Sequence, residues 1–160
     1  METSILYNYP IAAMLAAWFI AQAAKLVSYG IRERRFDYGF MFRLGGMPSS
    51  HSASAASCTT AIGLVAGWSS PIFAIAVGMT FLIVVDAQGV RHAAGQQARL
   101  LNQRAEEFYR DRKVSPKRLV EFLGHTRFEV FVGLVLGIAV ALSLWYFFPA
   151  WSHATLPATP

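Results

Sequence analysis

The chain has 160 residues, enough for one domain, and carries 14 Lys and Arg against 9 Asp and Glu, a formal net charge of +5. It is 55% hydrophobic and only 14% charged, where soluble domains average about 25% charged residues, so an ordinary soluble domain is excluded. Cys58 is the single cysteine, so no internal disulfide can form and no redox compartment is implied.

The chain opens Met-Glu-Thr without a basic n-region, and no cleaved signal peptide is expected. Four apolar stretches follow. The first runs from Pro10 to about Ile31, interrupted by Gln22 and Lys25. The second, about 51–67, is rich in Ala and Ser, and the third, about 71–86, ends at Asp86. The fourth, about 128–148, closes on a Trp-Tyr-Phe-Phe cluster typical of membrane surfaces. A membrane helix needs about 20 residues, which the first and fourth satisfy. The second and third are short for the task and are joined by Trp-Ser-Ser-Pro, which predicts a tight hairpin. Small residues in the second stretch suit close helix packing in a bilayer. The expected fold is therefore an all-α, multi-pass bundle of four membrane spans forming one domain.

Between spans three and four, Ala93 to Arg112 reads as an amphipathic helix on the steps Ala94, Ala98, Leu101, Ala105 and Phe108. It is expected to lie along the membrane surface or to cap the bundle. Ser115-Pro116 then predicts a turn, and 117–123 a short helix. All the Lys and Arg fall between Lys25 and Arg127, mostly in the segments 32–43 and 91–127 that join the spans. Four spans put both segments on one side, which the positive-inside rule assigns to the cytoplasm, with both termini outside.

The polar residues that interrupt the apolar pattern gather at that same side, where near-membrane charge usually has a purpose. Lys25 and Arg32 are seven apart, about two turns, and share a helix face. Gly45-Gly46-Met47-Pro48-Ser49-Ser50-His51 starts the second span with two hydroxyl caps and a histidine, and a helix start of this kind offers free N–H groups and a positive dipole end to an anion. His125 and Glu129 are four apart at the start of span four, so the carboxylate can hold one imidazole nitrogen and leave the other free as a nucleophile. Asp86 and Arg91 close span three. Each feature also has a plain structural reading: Lys25 can snorkel, His125 can cap a helix, and Asp86 can pair with Arg91.

Taken in order, Lys25-x6-Arg32, Pro48-Ser49-Ser50-His51 and His125-x3-Glu129-x3-Gly133-x3-Gly137 resemble the three signature motifs of the type 2 phosphatidic acid phosphatase superfamily, which includes the vanadium-dependent haloperoxidases. The blocks GGMPSSHSA, DAQGVRHAAG and LGHTRFEV resemble its small divergent branch of membrane proteins, over nearly the whole chain. The resemblance implies that Lys25, Arg32 and Ser49 contact phosphate, with Ser50 beside them. It implies that His51 is the general acid, that His125 is the nucleophile that becomes phosphorylated, and that Glu129 orients it, in the place of an aspartate. Three positions depart from the pattern. Glu33 replaces a proline, Ser50 replaces a glycine, and Leu119 stands where an arginine is usual. Arg91 is the favoured replacement for that arginine, with Arg118, one position off, as the other; Asp86 would support the site.

These readings predict a lipid-phosphate phosphatase acting through a phosphohistidine. The alternative is a catalytically weak or inactive membrane module that binds lipid head groups or a protein partner. No metal or other cofactor is expected, because side-chain cations would take the role of a metal, and vanadate is expected to inhibit as a phosphate mimic. The expected partners are the bilayer and a phosphorylated lipid, with no nucleic acid. A small bundle also allows a homodimer, although no residue demands one.

Overall fold

A computed structural model of the chain describes residues 8–33, 46–109 and 126–148, with the side chains at 32–33, 90–92 and 106–109 outside that description. Among the described residues the fold is all-α. Helix α1 is Tyr9–Glu33, α2 Ser50–Ala66, α3 Pro71–Gln88, α4 Val90–Tyr109 and α5 Arg127–Phe147. Each span begins or ends within about three residues of the sequence expectation, because a long apolar run bounded by Pro, Gly or charge has few alternatives in lipid. The turn at 115–116 and the helix at 117–123 lie outside the described residues.

Three stretches are long and apolar enough to cross a membrane: Tyr9–Ile31, Arg127–Phe147 and the run that starts at Pro71. The remaining expected span, α2, has 17 residues, a helix about 25 Å long. It is the centre of the bundle, packed on α1, α3 and α5. Its apolar weight is modest because the other helices shield it: Ser52, Ala53, Ala56, Ser57, Thr60, Ala61 and Gly63 are all buried. Helix α3 is the opposite case, with Ala87 its single buried residue and with Ile75, Phe81 and Leu82 exposed. In a bilayer those side chains face lipid.

Small residues let the backbones approach. Ala13, Ala17 and Ala21 of α1 are fully buried against α2 and α5, at one level with Ala61 and Ala141 and at the next with Ala53 and Val140. Gly133 and Gly137 of α5 lie directly on α2; a Cβ added at Gly133 would stand 2.5 Å from the Ser49 carbonyl oxygen. Without a hydrophobic force between helices in lipid, such packing and interhelical hydrogen bonds hold the bundle. Ser57 Oγ donates to the Ala13 carbonyl at 2.9 Å, and Tyr9 OH to the Ala141 carbonyl at 2.5 Å. Thr59 and Thr80 share a hydroxyl–hydroxyl bond of 2.7 Å between α2 and α3.

These pairings fix the directions. Tyr9 packs on Trp145 with ring centroids 5.3 Å apart, so the start of α1 and the end of α5 share one end of the bundle. The end of α1, the starts of α2 and α5 and the end of α3 share the other. Helix α4 follows α3 at Gly89 and packs on it. Its buried stripe is Gly95, Ala98 and Asn102, whereas Ala94 and Leu101 are exposed. Of the other expected stripe residues Ala105 is half-buried and the Phe108 side chain lies outside the described residues, while Gly95 and Asn102 give no apolar signal by which to find them.

Candidate functional site

The polar end of the bundle is built by three helix ends. Gly46, at φ 86° in the left-handed region open to glycine, leads into Pro48 and the N-cap Ser49. The Ser49 hydroxyl accepts from Ser52 N–H at 3.4 Å and from the Ser52 hydroxyl at 3.1 Å. Its own N–H donates to the Glu129 carbonyl at 3.1 Å, which ties the first turn of α2 to the first turn of α5. That α5 turn is closed by a capping box: Glu129 N–H donates to Thr126 Oγ1 at 3.3 Å, and Thr126 N–H to Glu129 Oε2 at 2.9 Å. Lys25 reaches in from α1. It is buried, and its ammonium donates to Ser50 Oγ at 3.1 Å while interacting electrostatically with Glu129.

Beside this trio is a pocket of about 370 Å³ with Lys25, Tyr29, Met47, Thr126, Phe128 and Glu129 in its wall. Lys25 and the start of α5 from Thr126 to Glu129 line one cavity, an environment that can hold an anion. The carboxylate in the same wall can hold a cation or orient a neighbouring imidazole.

Successive residues of a helix point about 100° apart, and the first turn of α2 uses this. Ser49 is fully buried against α5, Ser50 turns to Lys25, and His51 is exposed on a third side. There His51 lines a second and larger cavity between α1, α2 and α3, together with Asp86. The structure therefore brings Lys25, Ser50 and Glu129 together. It places His51 with Asp86 across the same helix turn and keeps the Ser49 side chain in the helix cap. His125 and Arg118 lie outside the described residues, as do the side chains of Arg32 and Arg91.

Sequence reasoning passed over Thr126, whose Thr-x-x-Glu spacing is the signature of a capping box, and Tyr29, one turn beyond Lys25 on the same face. The first could have been found. The second could not, since a tyrosine near a membrane edge is common.

No solved structure matches the chain. The chain is 37% identical over 155 residues, covering 90% of its length and 98% of the relative's, to a Bacillus subtilis (strain 168) protein named as the uncharacterized membrane protein YuiD. The family model described as the Divergent PAP2 family matches residues 6–140, from the start of α1 through Gly133 and Gly137 of α5. With its helices long and apolar enough to span and its polar residues at one rim, this chain is an integral membrane protein and belongs to the Divergent PAP2 family.

Proposed function

We propose that the protein is a lipid-phosphate phosphatase that hydrolyses a phosphate monoester or anhydride at the rim of the bundle. The observation that carries this reading is the buried Lys25 ammonium, bonded to the first turn of α2 and facing a pocket walled by Glu129. A cation at a membrane edge, beside a helix start, suits a phosphoryl group whose tails stay in the bilayer. Arg32 and Arg91 would add cations from the end of α1 and the start of α4, with Arg118 as the alternative to Arg91.

In this reading His125 attacks phosphorus in line. Its N–P bond forms as the bond to the leaving oxygen breaks, and His51 delivers a proton to that oxygen. Water then attacks the phosphohistidine and gives its proton to His51, which releases inorganic phosphate and restores both imidazoles. Glu129 orients His125, and Asp86, in the same cavity wall as His51, supports the acid.

The test is phosphate release from a panel of lipid phosphates by detergent-purified protein, with and without vanadate. Vanadate-blocked release is expected from at least one of them. A second reading, a module that binds head groups without turnover, is favoured by one observation: Glu129 Oε2 already accepts from Thr126 N–H. Saturable head-group binding with no release across the panel would establish that reading and sink the first.

The basic segments and the rim are assigned to the cytoplasmic face. The shared end of Tyr9 and Trp145 supports both termini lying opposite the rim. A reporter fused after Pro160 is expected to read as external; a cytoplasmic signal would reverse the assignment.

A further inference from the structure

The pocket at the rim carries both signs of charge. Among its described wall residues Lys25 supplies the one cation and Glu129 the one anion, and the others, Tyr29, Met47 and Phe128 among them, are uncharged. An ammonium has three donors, of which Ser50 Oγ takes one. The carboxylate accepts from Thr126 N–H in the helix cap, and with about four acceptor sites on its two oxygens it can hold the cap and a ligand at once.

A phosphate alone fits this wall badly. Lys25 would attract it, but the carboxylate that already interacts with that ammonium would repel it. It would also leave most of the space unfilled, since about 370 Å³ lies within the roughly 300–1,000 Å³ usual for whole small-molecule ligands. The rest of the wall is of a kind that receives cations. Tyr29 and Phe128 stand in it with Glu129, Phe128 is exposed, and aromatic faces attract ammonium groups.

We infer that this pocket takes a zwitterionic head group, a phosphate joined by a short tether to a primary ammonium, with the phosphate at Lys25 and the ammonium at Glu129 beside Tyr29 and Phe128. Each charge of the ligand then meets its opposite, so neither Lys25 nor Glu129 is left uncompensated when the ligand displaces water. A primary ammonium suits the carboxylate because it has N–H donors to give; a quaternary one has none. The same phosphate–ammonium unit occurs on membrane lipids and free in water. The inference rests on the reading of the rim as a phosphate site, but it needs no turnover.

The full chain in maltoside detergent is titrated calorimetrically with phosphoethanolamine, with propyl phosphate, in which a methyl group replaces the ammonium, and with inorganic phosphate. Phosphoethanolamine is expected to bind about tenfold more tightly than either, the gain of one hydrogen bond between charged groups. Glu129→Gln keeps the capping box, since glutamine also serves at that position. It should erase the preference and leave inorganic phosphate bound as well or better. Phe128→Leu, at an exposed position, should weaken phosphoethanolamine about threefold and leave propyl phosphate unchanged. Dihexanoyl phosphatidylethanolamine carries the same unit on acyl chains and identifies its source. Tighter binding than phosphoethanolamine assigns the ligand to the bilayer, and equal or weaker binding assigns it to the aqueous phase; the zwitterion stands in both cases.

Propyl phosphate or inorganic phosphate binding as tightly as phosphoethanolamine would overturn the inference. So would a preference unchanged in Glu129→Gln, or no binding of phosphoethanolamine at all. Phosphate release from the panel of lipid phosphates is read on the same preparation. Zwitterion-selective binding without release keeps this inference and sinks the phosphatase reading, and release without that selectivity does the reverse.

Discussion

Lys25→Met is expected to cut phosphate release by at least about a hundredfold, the loss seen when one pre-placed donor to a developing oxyanion is removed, and His125→Ala to leave none. The argument for Lys25 is electrostatic. Its ammonium is buried, and it is held by Ser50 on one side and by the charge of Glu129 on the other. A buried cation is costly to maintain unless its partners and its ligand use it. Removing it also strands Glu129, so the single variant will lose stability as well as activity. The double variant Lys25→Met/Glu129→Gln separates the two effects, because it removes both charges and should recover much of the thermal stability in detergent. If Lys25 binds phosphate, Lys25→Arg, which keeps the charge, retains part of the activity, while Lys25→Met stays inactive at temperatures where it is still folded. If recovery of stability brings activity back, Lys25 serves only the fold, and the proposed site is wrong.

How much of this was legible without coordinates can be judged residue by residue. The long apolar helices α1, α3 and α5 were, since such runs, ended by Asp86 or other charge, leave little choice in a bilayer. The shared rim was as well: alternating helix directions bring Lys25, Ser50, Asp86 and Glu129 to one end once the spans are counted. The facing of individual side chains was not. A motif written Ser-Ser-His reads as one cluster, yet on a helix those residues diverge by about 100° each, and the structure sends Ser49 to α5, Ser50 to Lys25 and His51 to the groove beside α3. The central place of α2 was equally hidden, because its buried face is Ala, Ser and Thr, which carries little hydropathy signal. The Glu129 carboxylate shows a third limit. Its spacing to His125 suggested one role, its spacing to Thr126 was passed over, and the coordinates show the capping box in place.

The second large effect concerns that packing. Gly137→Ala is expected to destabilise the bundle by about 1–3 kcal/mol, as overpacking does, and Gly137→Leu to prevent its assembly. A Cβ at Gly137 would stand 2.9 Å from the Ala53 carbonyl carbon and 2.9 Å from the Ser57 nitrogen, both backbone atoms of the central helix. Neither can swing aside as a side-chain tip would. Relief requires α5 to move off α2, which also pulls on the bond between Ser49 N–H and the Glu129 carbonyl that joins the two helix starts at the rim. Gly78 provides the internal control. It lies on α3 with nothing within 4 Å of an added Cβ, so Gly78→Ala should be neutral or gain up to about 1 kcal/mol from helix propensity. In a thermal aggregation assay in detergent, Gly137→Ala is expected to melt about 2–12 °C below wild type, given roughly 2–4 °C per kcal/mol at this chain length, while Gly78→Ala does not fall. Equal melting of the two alanine variants would mean that α2 and α5 are not in backbone contact. The geometry by which α5 carries Glu129 to Lys25 would then fail with it.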